Sequence, residues 1–301
     1  MKPGHELGCV MQSRDRITGV GRGRVGVLLI HGLCGSPSEI RFVANGLVRE
    51  GYRVVTPTLA GHGTSEADLL ATTWQDWYAS AEQGLEELAA TCDTVIVGGL
   101  STGAVLSLML AARHPDKVQG VALYSPTLWL SGRQVPWYVP LFRLIDSKPV
   151  ANLFRFPVPV HVGIKDQRIR EFIRSAMASG GTKAAQVSTP GGAVLERRRL
   201  ADAVIRELGA VTQPVLILHA RDDDYAGLDN ATYLQRNIAG PVDLVVLDDS
   251  FHMVTIDRER HTVLARTAAF VARIAEALGA GGEAGSADAV VSGAELVQSA
   301  A

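Results

Sequence analysis

Between residues 94 and 115 the chain runs from an apolar stretch, Thr94-Val95-Ile96-Val97-Gly98, through Gly99-Leu100-Ser101-Thr102-Gly103, into a segment with helical character that ends at His114-Pro115. A continuous apolar run bounded by turn residues reads as a strand buried on both faces. Proline at 115 disfavours helical backbone at 114 and marks the helix end. A strand that passes into a helix through G-x-S-x-G has one solution: a turn so tight that the serine backbone is strained and its neighbours two before and two after are small. Such a turn pushes the Ser101 hydroxyl out at the carboxyl end of the sheet, where ligands of open α/β sheets bind. The helix beginning at Thr102 aims its free N–H groups and positive dipole end at the same point. The competing reading, Ser101 as a simple helix N-cap, does not use the strand in front of it.

The rest of the chain repeats the alternation. Apolar runs at 25–30, 52–56, 118–124, 215–219 and 242–247 alternate with helical stretches at 36–50, 73–90, 196–210, 228–238 and 257–278. Thr73 with Asp76 three residues on suits a capped helix start. This pattern predicts an α/β fold with a mostly parallel sheet and helices on both faces. Residues 126–195 break it. They are irregular and rich in proline and aromatics, including Trp129, Trp137, Phe142, Phe154 and Phe156. They read as an inserted cap over one edge of the sheet. The expected organisation is a leader at 1–24, core at 25–125, cap or lid at 126–195, core again at 196–278 and a disordered Ala/Gly/Ser tail at 279–301.

Composition narrows the function classes. The 301 residues carry a net charge of −2 with both signs interspersed. That argues against a nucleic-acid partner or an anionic membrane surface. No apolar stretch reaches the length of a membrane span, so stable membrane insertion is not expected. The start has no secretory pattern. Cys9, Cys34 and Cys92 are far apart with no CxxC spacing, which speaks against a disulfide framework or thiolate metal site. The expectation is a cytoplasmic protein that needs no metal or organic cofactor.

A serine hydroxyl is a poor nucleophile and needs a base, itself oriented by an acid. In a fold of this kind the order along the chain is serine, acid, histidine. His252 stands after the last strand, in Ser250-Phe251-His252-Met253. His5, His219 and His261 fit less well, lying in the leader, at a strand end and in the final helix. The loop after 215–219 offers Asp222, Asp223 and Asp224, and nothing in the local pattern chooses among them. Asp248 and Asp249 precede His252 too closely to form a separate acid loop. An oxyanion site needs two backbone N–H donors. Thr102, after the nucleophile, supplies one, and Leu33 in the loop His31-Gly32-Leu33-Cys34-Gly35 is the candidate for the other. His31 and His62 (in Gly61-His62-Gly63) read as braces of their loops.

With these residues assembled, the chain resembles the bacterial carboxylesterases and monoacylglycerol lipases of the α/β-hydrolase superfamily. The matching stretches are Leu28–Gly35, Gly61–Gly63, Trp74–Trp77, Gly99–Gly103, His219–Asp223 and Ser250–Asp257. The resemblance implies the α/β-hydrolase fold. It selects Asp223 as the acid, with Ser101 and His252 as nucleophile and base and Leu33 and Thr102 as oxyanion donors. It also implies a small-molecule ester substrate, with a short to medium acyl chain or monoacylglycerol-like. Ala104 stands where a second glycine is common, Leu33 where a larger residue is common, and the insertion matches poorly. The same triad serves thioesterases, amidases, acyltransferases and carbon–carbon bond hydrolases. A catalytically silent ligand-binding member is the alternative of another class. Arg168, Arg170 and Arg174, and the run Arg197-Arg198-Arg199, read as solvated helix faces.

Overall fold

The computed structural model describes residues 18–19, 24–135, 137, 139–158, 163–179 and 187–279. Most of the expected leader and the tail from 280 onward lie outside the described residues. Strand β1 (Thr18–Gly19) is followed by β2 (Val25–Ile30), α1 (Arg41–Arg49), β3 (Arg53–Val55), α2 (Glu66–Ala71), α3 (Trp74–Ala89), β4 (Thr94–Leu100), α4 (Thr102–Arg113) and β5 (Gly120–Tyr124). Then come α5 (Lys148–Ala151), β6 (Arg155–Val158), α6 (Gln167–Ser179), β7 (Val187–Pro190) and α7 (Gly191–Glu207). The chain closes through β8 (Val215–Ala220), α8 (Asp229–Asn237), β9 (Val242–Leu247) and α9 (Arg260–Ala277).

Among the described residues the main sheet has the order β1-β3-β2-β4-β5-β8-β9. The strands from β3 to β9 run parallel, and β1 pairs antiparallel at the edge. After β3 the chain crosses to the far side of β2 to form β4. Neighbouring loops therefore leave the carboxyl ends of β2 and β4 in diverging directions, which opens the crevice where such sheets bind ligands.

The apolar runs became strands because both faces are covered. Leu28 and Ile30 of β2 join a cluster with Trp77, Val105 and Leu200, while Val27 and Leu29 join another with Val43, Leu47 and Phe270. Helix α3 starts as expected, with Asp76 accepting from the Thr73 N–H at 2.7 Å. Helix α2 was not expected. It is short and opens with its own reciprocal cap, Ser65 with Asp68.

The segment between β5 and α7 is more ordered than its composition suggests. Residues 139–144 form a 3₁₀ turn, and β6 pairs antiparallel with β7 in a small separate sheet. That pairing joins residues more than thirty apart at its outer end, Arg155 with Pro190, so no local pattern announces it. Asp166 caps α6, accepting from the Arg168 N–H at 2.8 Å and the Ile169 N–H at 3.1 Å. Helix α7 begins at Gly191, five residues before the expected 196. Pro190-Gly191-Gly192 reads as a loop, but the glycines answer a close approach: a Cβ on Gly191 would lie 2.1 Å from the Ala151 carbonyl oxygen. No helix among the described residues is long and apolar enough to cross a membrane.

Candidate active site

Ser101 sits between β4 and α4 with φ 56° and ψ −112°. This sparsely populated backbone costs of order 1–3 kcal/mol and persists only where the surroundings enforce it. They do so here. A Cβ on Gly99 would lie 2.5 Å from the Gly103 carbonyl carbon, and one on Gly103 would lie 2.2 Å from the Ile30 carbonyl oxygen. The Ser101 N–H is held by the Tyr124 carbonyl at 2.9 Å. Its hydroxyl donates to Thr127 Oγ1 at 3.1 Å, and Thr127 donates onward to the Ser125 carbonyl at 3.1 Å.

The loop after β2 faces the turn. The Gly32 N–H donates to Glu39 at 3.0 Å, and the Gly35 N–H closes back on the Gly32 carbonyl at 3.2 Å. Among the described residues neither the Leu33 N–H nor the Thr102 N–H is taken by a hydrogen bond. His31 is fully buried, with Nδ1 on the Gly32 carbonyl at 2.8 Å and Nε2 accepting from the Leu59 N–H at 3.2 Å. Burial, with His62 adding repulsion, lowers its pKa to about 3. His31 is therefore a neutral brace. His62 is similar: burial lowers it to about 4, and its ring lies between those of His31 and Trp77.

The loops after β8 and β9 meet. His252 Nδ1 donates to Asp223 Oδ2 at 2.8 Å, and both residues are buried. The other oxygen, Asp223 Oδ1, accepts from the N–H groups of Tyr225 at 2.9 Å and Ala226 at 2.8 Å. Burial works to raise the Asp223 pKa, but the charge and hydrogen bond of His252 outweigh it and the net direction is down. For His252 burial works downward, and the Asp223 charge and hydrogen bond, with Asp224 and Glu39 adding, turn the net direction upward. The pair thus holds a proton between an acid that stays ionised and a ring made more basic than usual.

The three consecutive aspartates have three different surroundings. Asp222 is half-exposed near Arg133. Asp224 is buried, and both of its oxygens accept from the Gly163 N–H, at 3.1 and 2.9 Å. Asp257 is fully buried and accepts from the N–H groups of Lys165, Asp166 and Phe251. Sequence reasoning missed Asp257, Glu39 and Thr127, and the contact of Asp224 with Gly163, because their partners lie dozens of residues away or on loop backbone. Asp257 lay inside a matching stretch, which was the one signal available. The arginine run at 197–199 also departs from expectation: Arg197 is buried, while Arg168 and Arg174 are exposed.

Ser101, the paired Asp223 and His252, and the open N–H groups of Leu33 and Thr102 thus stand on loops at one end of the sheet. Residues 22–259 match the family model described as serine aminopeptidase, S33 (Hydrolase_4). The chain belongs to this family. It is a serine hydrolase of the α/β-hydrolase fold. It is 30% identical over 259 residues to the thermostable monoacylglycerol lipase of Bacillus sp. (strain H-257), covering 83% of this chain and 92% of that one. It is 24% identical over 239 residues to a carboxylesterase of Bacillus subtilis (strain 168), covering 79% and 88%. Among solved structures it is similar to a metagenome-derived lipolytic enzyme, with a TM-score of 0.73, 28% identity and coverage of 88% of this chain and 99% of that chain. In this Hydrolase_4 protein the family match spans the elbow, the loop after β2 and the segment between β5 and α7 alike.

Proposed function

We propose that this serine hydrolase cleaves carboxylic esters through an acyl-enzyme on Ser101, with His252 as general base and Asp223 as the acid that orients it. The observation that carries the reading is the buried 2.8 Å pair of His252 Nδ1 and Asp223 Oδ2 at the sheet end where the strained Ser101 projects. Ester hydrolysis is the activity class of the protein, and both Bacillus relatives carry esterase or lipase names.

The steps follow from the geometry. Asp223 fixes the ring so that Nδ1 carries a proton and Nε2 is free to accept one. The Ser101 hydroxyl rotates from Thr127 toward that nitrogen as its oxygen bonds to the ester carbonyl carbon. The carbonyl oxygen takes up negative charge and accepts from the Leu33 and Thr102 N–H groups. Collapse breaks the bond to the alcohol, which leaves with the proton from His252. Water then attacks the acyl-enzyme, again giving its proton to His252, and releases a carboxylic acid and free Ser101.

The segment between β5 and α7 is the cap in this reading, and its aromatic and apolar content suits a short to medium acyl chain or a monoacylglycerol-like ester. Three scattered cysteines suit a cytoplasmic setting. Fluorophosphonate labelling with peptide mass mapping tests the nucleophile, run beside hydrolysis of p-nitrophenyl esters of increasing chain length. A single adduct on Ser101 with ester turnover supports the assignment. Folded protein with neither adduct nor turnover sinks it in favour of a silent ligand binder.

A further inference from the structure

A cavity of about 210 Å³ lies between the segment after β5 and helix α7. Its apolar wall includes Leu128, Phe142 and Ile205, and none of Ser101, Asp223 or His252 lines it. Its charged lining is Arg143, Arg197, Arg198 and Asp202, three cations against one acid. Arg198 lies 4.0 Å from Asp202 and also pairs with Asp146. Arg197 is only 6% exposed, and among the described residues no carboxylate pairs with it. Its Nη1 donates to the carbonyls of Thr127 at 3.2 Å and Leu128 at 3.3 Å, which satisfies hydrogen bonds but supplies no opposite charge.

A guanidinium keeps its proton even when buried. A buried charge without a counter-charge is unfavourable, and a planar fork matches a carboxylate through two parallel bonds. The apolar wall asks for hydrocarbon beside that anion. A cavity of this volume suits a short or medium chain rather than a long one.

We propose that this cavity is a binding site for a short- or medium-chain carboxylate, with Arg197 gripping the carboxylate and the chain lying against Phe142 and Ile205. The site stands on Arg197 and its surroundings and does not depend on the catalytic assignment of Ser101. Because Arg197 also holds the carbonyl of Thr127, whose hydroxyl receives the Ser101 hydrogen bond, the cavity adjoins the reacting end of the sheet without being part of it.

The test is calorimetric titration of the full-length protein with octanoate, 1-octanol and inorganic phosphate, before and after fluorophosphonate treatment. Octanoate is expected to bind at least tenfold more tightly than octanol, with or without treatment, and phosphate more weakly than octanoate. Arg197→Met is expected to bring octanoate and octanol within about twofold of each other. If that variant does not fold, Ile205→Trp, which fills the cavity, is expected to remove octanoate binding. Equal affinity for octanoate and octanol in the unmodified protein overturns the proposal. So does tighter binding of phosphate, a preference that survives Arg197→Met, or loss of octanoate binding on treatment, which would place the ligand in the catalytic pocket. A failed fluorophosphonate reaction would count against the Ser101 reading and leave the octanoate comparison on untreated protein intact.

Discussion

The sheet core and the segment between β5 and α7 are held together by different forces. In the core, every residue of β2, β4, β5 and β8 is buried, and their side chains enter two large apolar clusters. In the segment between β5 and α7, Leu144 is 83% exposed, Leu153 82% and Phe172 74%. A smaller cluster around Phe142, Ala151, Val194 and Leu195 packs it onto α7. Leu128 and Trp129 reach into the larger core cluster, and polar contacts add to this packing. Asp224 grips the Gly163 N–H, Asp257 grips those of Lys165 and Asp166, and the Met253 N–H donates to the Gly163 carbonyl at 2.7 Å. These latches stand one residue from Asp223, five from His252 and one from His252. The segment between β5 and α7 is therefore tied to the same loops that carry Asp223 and His252.

The widest gap between the two regions should appear in turnover. Ser101→Ala is expected to keep the fold and lower kcat by about 10⁶-fold, and Asp223→Asn by about 10⁴-fold, checked by steady-state kinetics beside a thermal melt. Asp222→Asn should stay active; if it were the inactive one, the choice of acid would be wrong. Stability gives the next contrast. Leu28→Ala should cost about 2–5 kcal/mol in urea unfolding, because it leaves a cavity in a packed face. Leu153→Ala should stay within about 0.5 kcal/mol. Comparable losses from the two would erase the distinction between the core and the segment between β5 and α7.

The latches should have an intermediate effect. Asp224→Asn keeps an acceptor for the Gly163 N–H and should remain active. Asp224→Ala leaves that N–H unpaired, at a cost of about 1–3 kcal/mol, and is expected to raise KM several-fold while kcat changes less. A drop in kcat with unchanged KM would mean that Asp224 acts on the chemistry and not on the segment that carries Gly163. The smallest effect is a shift in the pH profile. Only neutral His252 accepts the serine proton, and Asp223 pushes its pKa up, so kcat/KM should rise with pH through a midpoint above about 6.5. A midpoint below that value would show burial outweighing Asp223.

The elbow was legible because it is local: strand, Gly99, Ser101, Gly103 and helix lie within twenty residues, and their spacing alone forces the strained turn. The core strands were legible for the same reason, as apolar runs need no distant information. The start of α7 was not, because Pro190-Gly191-Gly192 looks like a loop until Ala151 is seen pressed against it. The acid could not be singled out from Asp222-Asp223-Asp224 by local pattern, since the three differ only in what folds over them.

The sequence by itself determined the α/β alternation, the place of the nucleophilic turn and the chain order of the candidate acid and base. These follow from short-range sterics and from the periodicity of apolar residues. Only the tertiary structure decided that Asp223 meets His252, that Asp224 and Asp257 hold Gly163, Lys165 and Asp166, that Glu39 ties the loop after β2, and that Arg197 is buried in a cavity instead of facing water. A carboxylate or guanidinium looks the same in any sequence. Its role depends on which backbone N–H, ring or apolar wall the fold brings within about 3 Å of it.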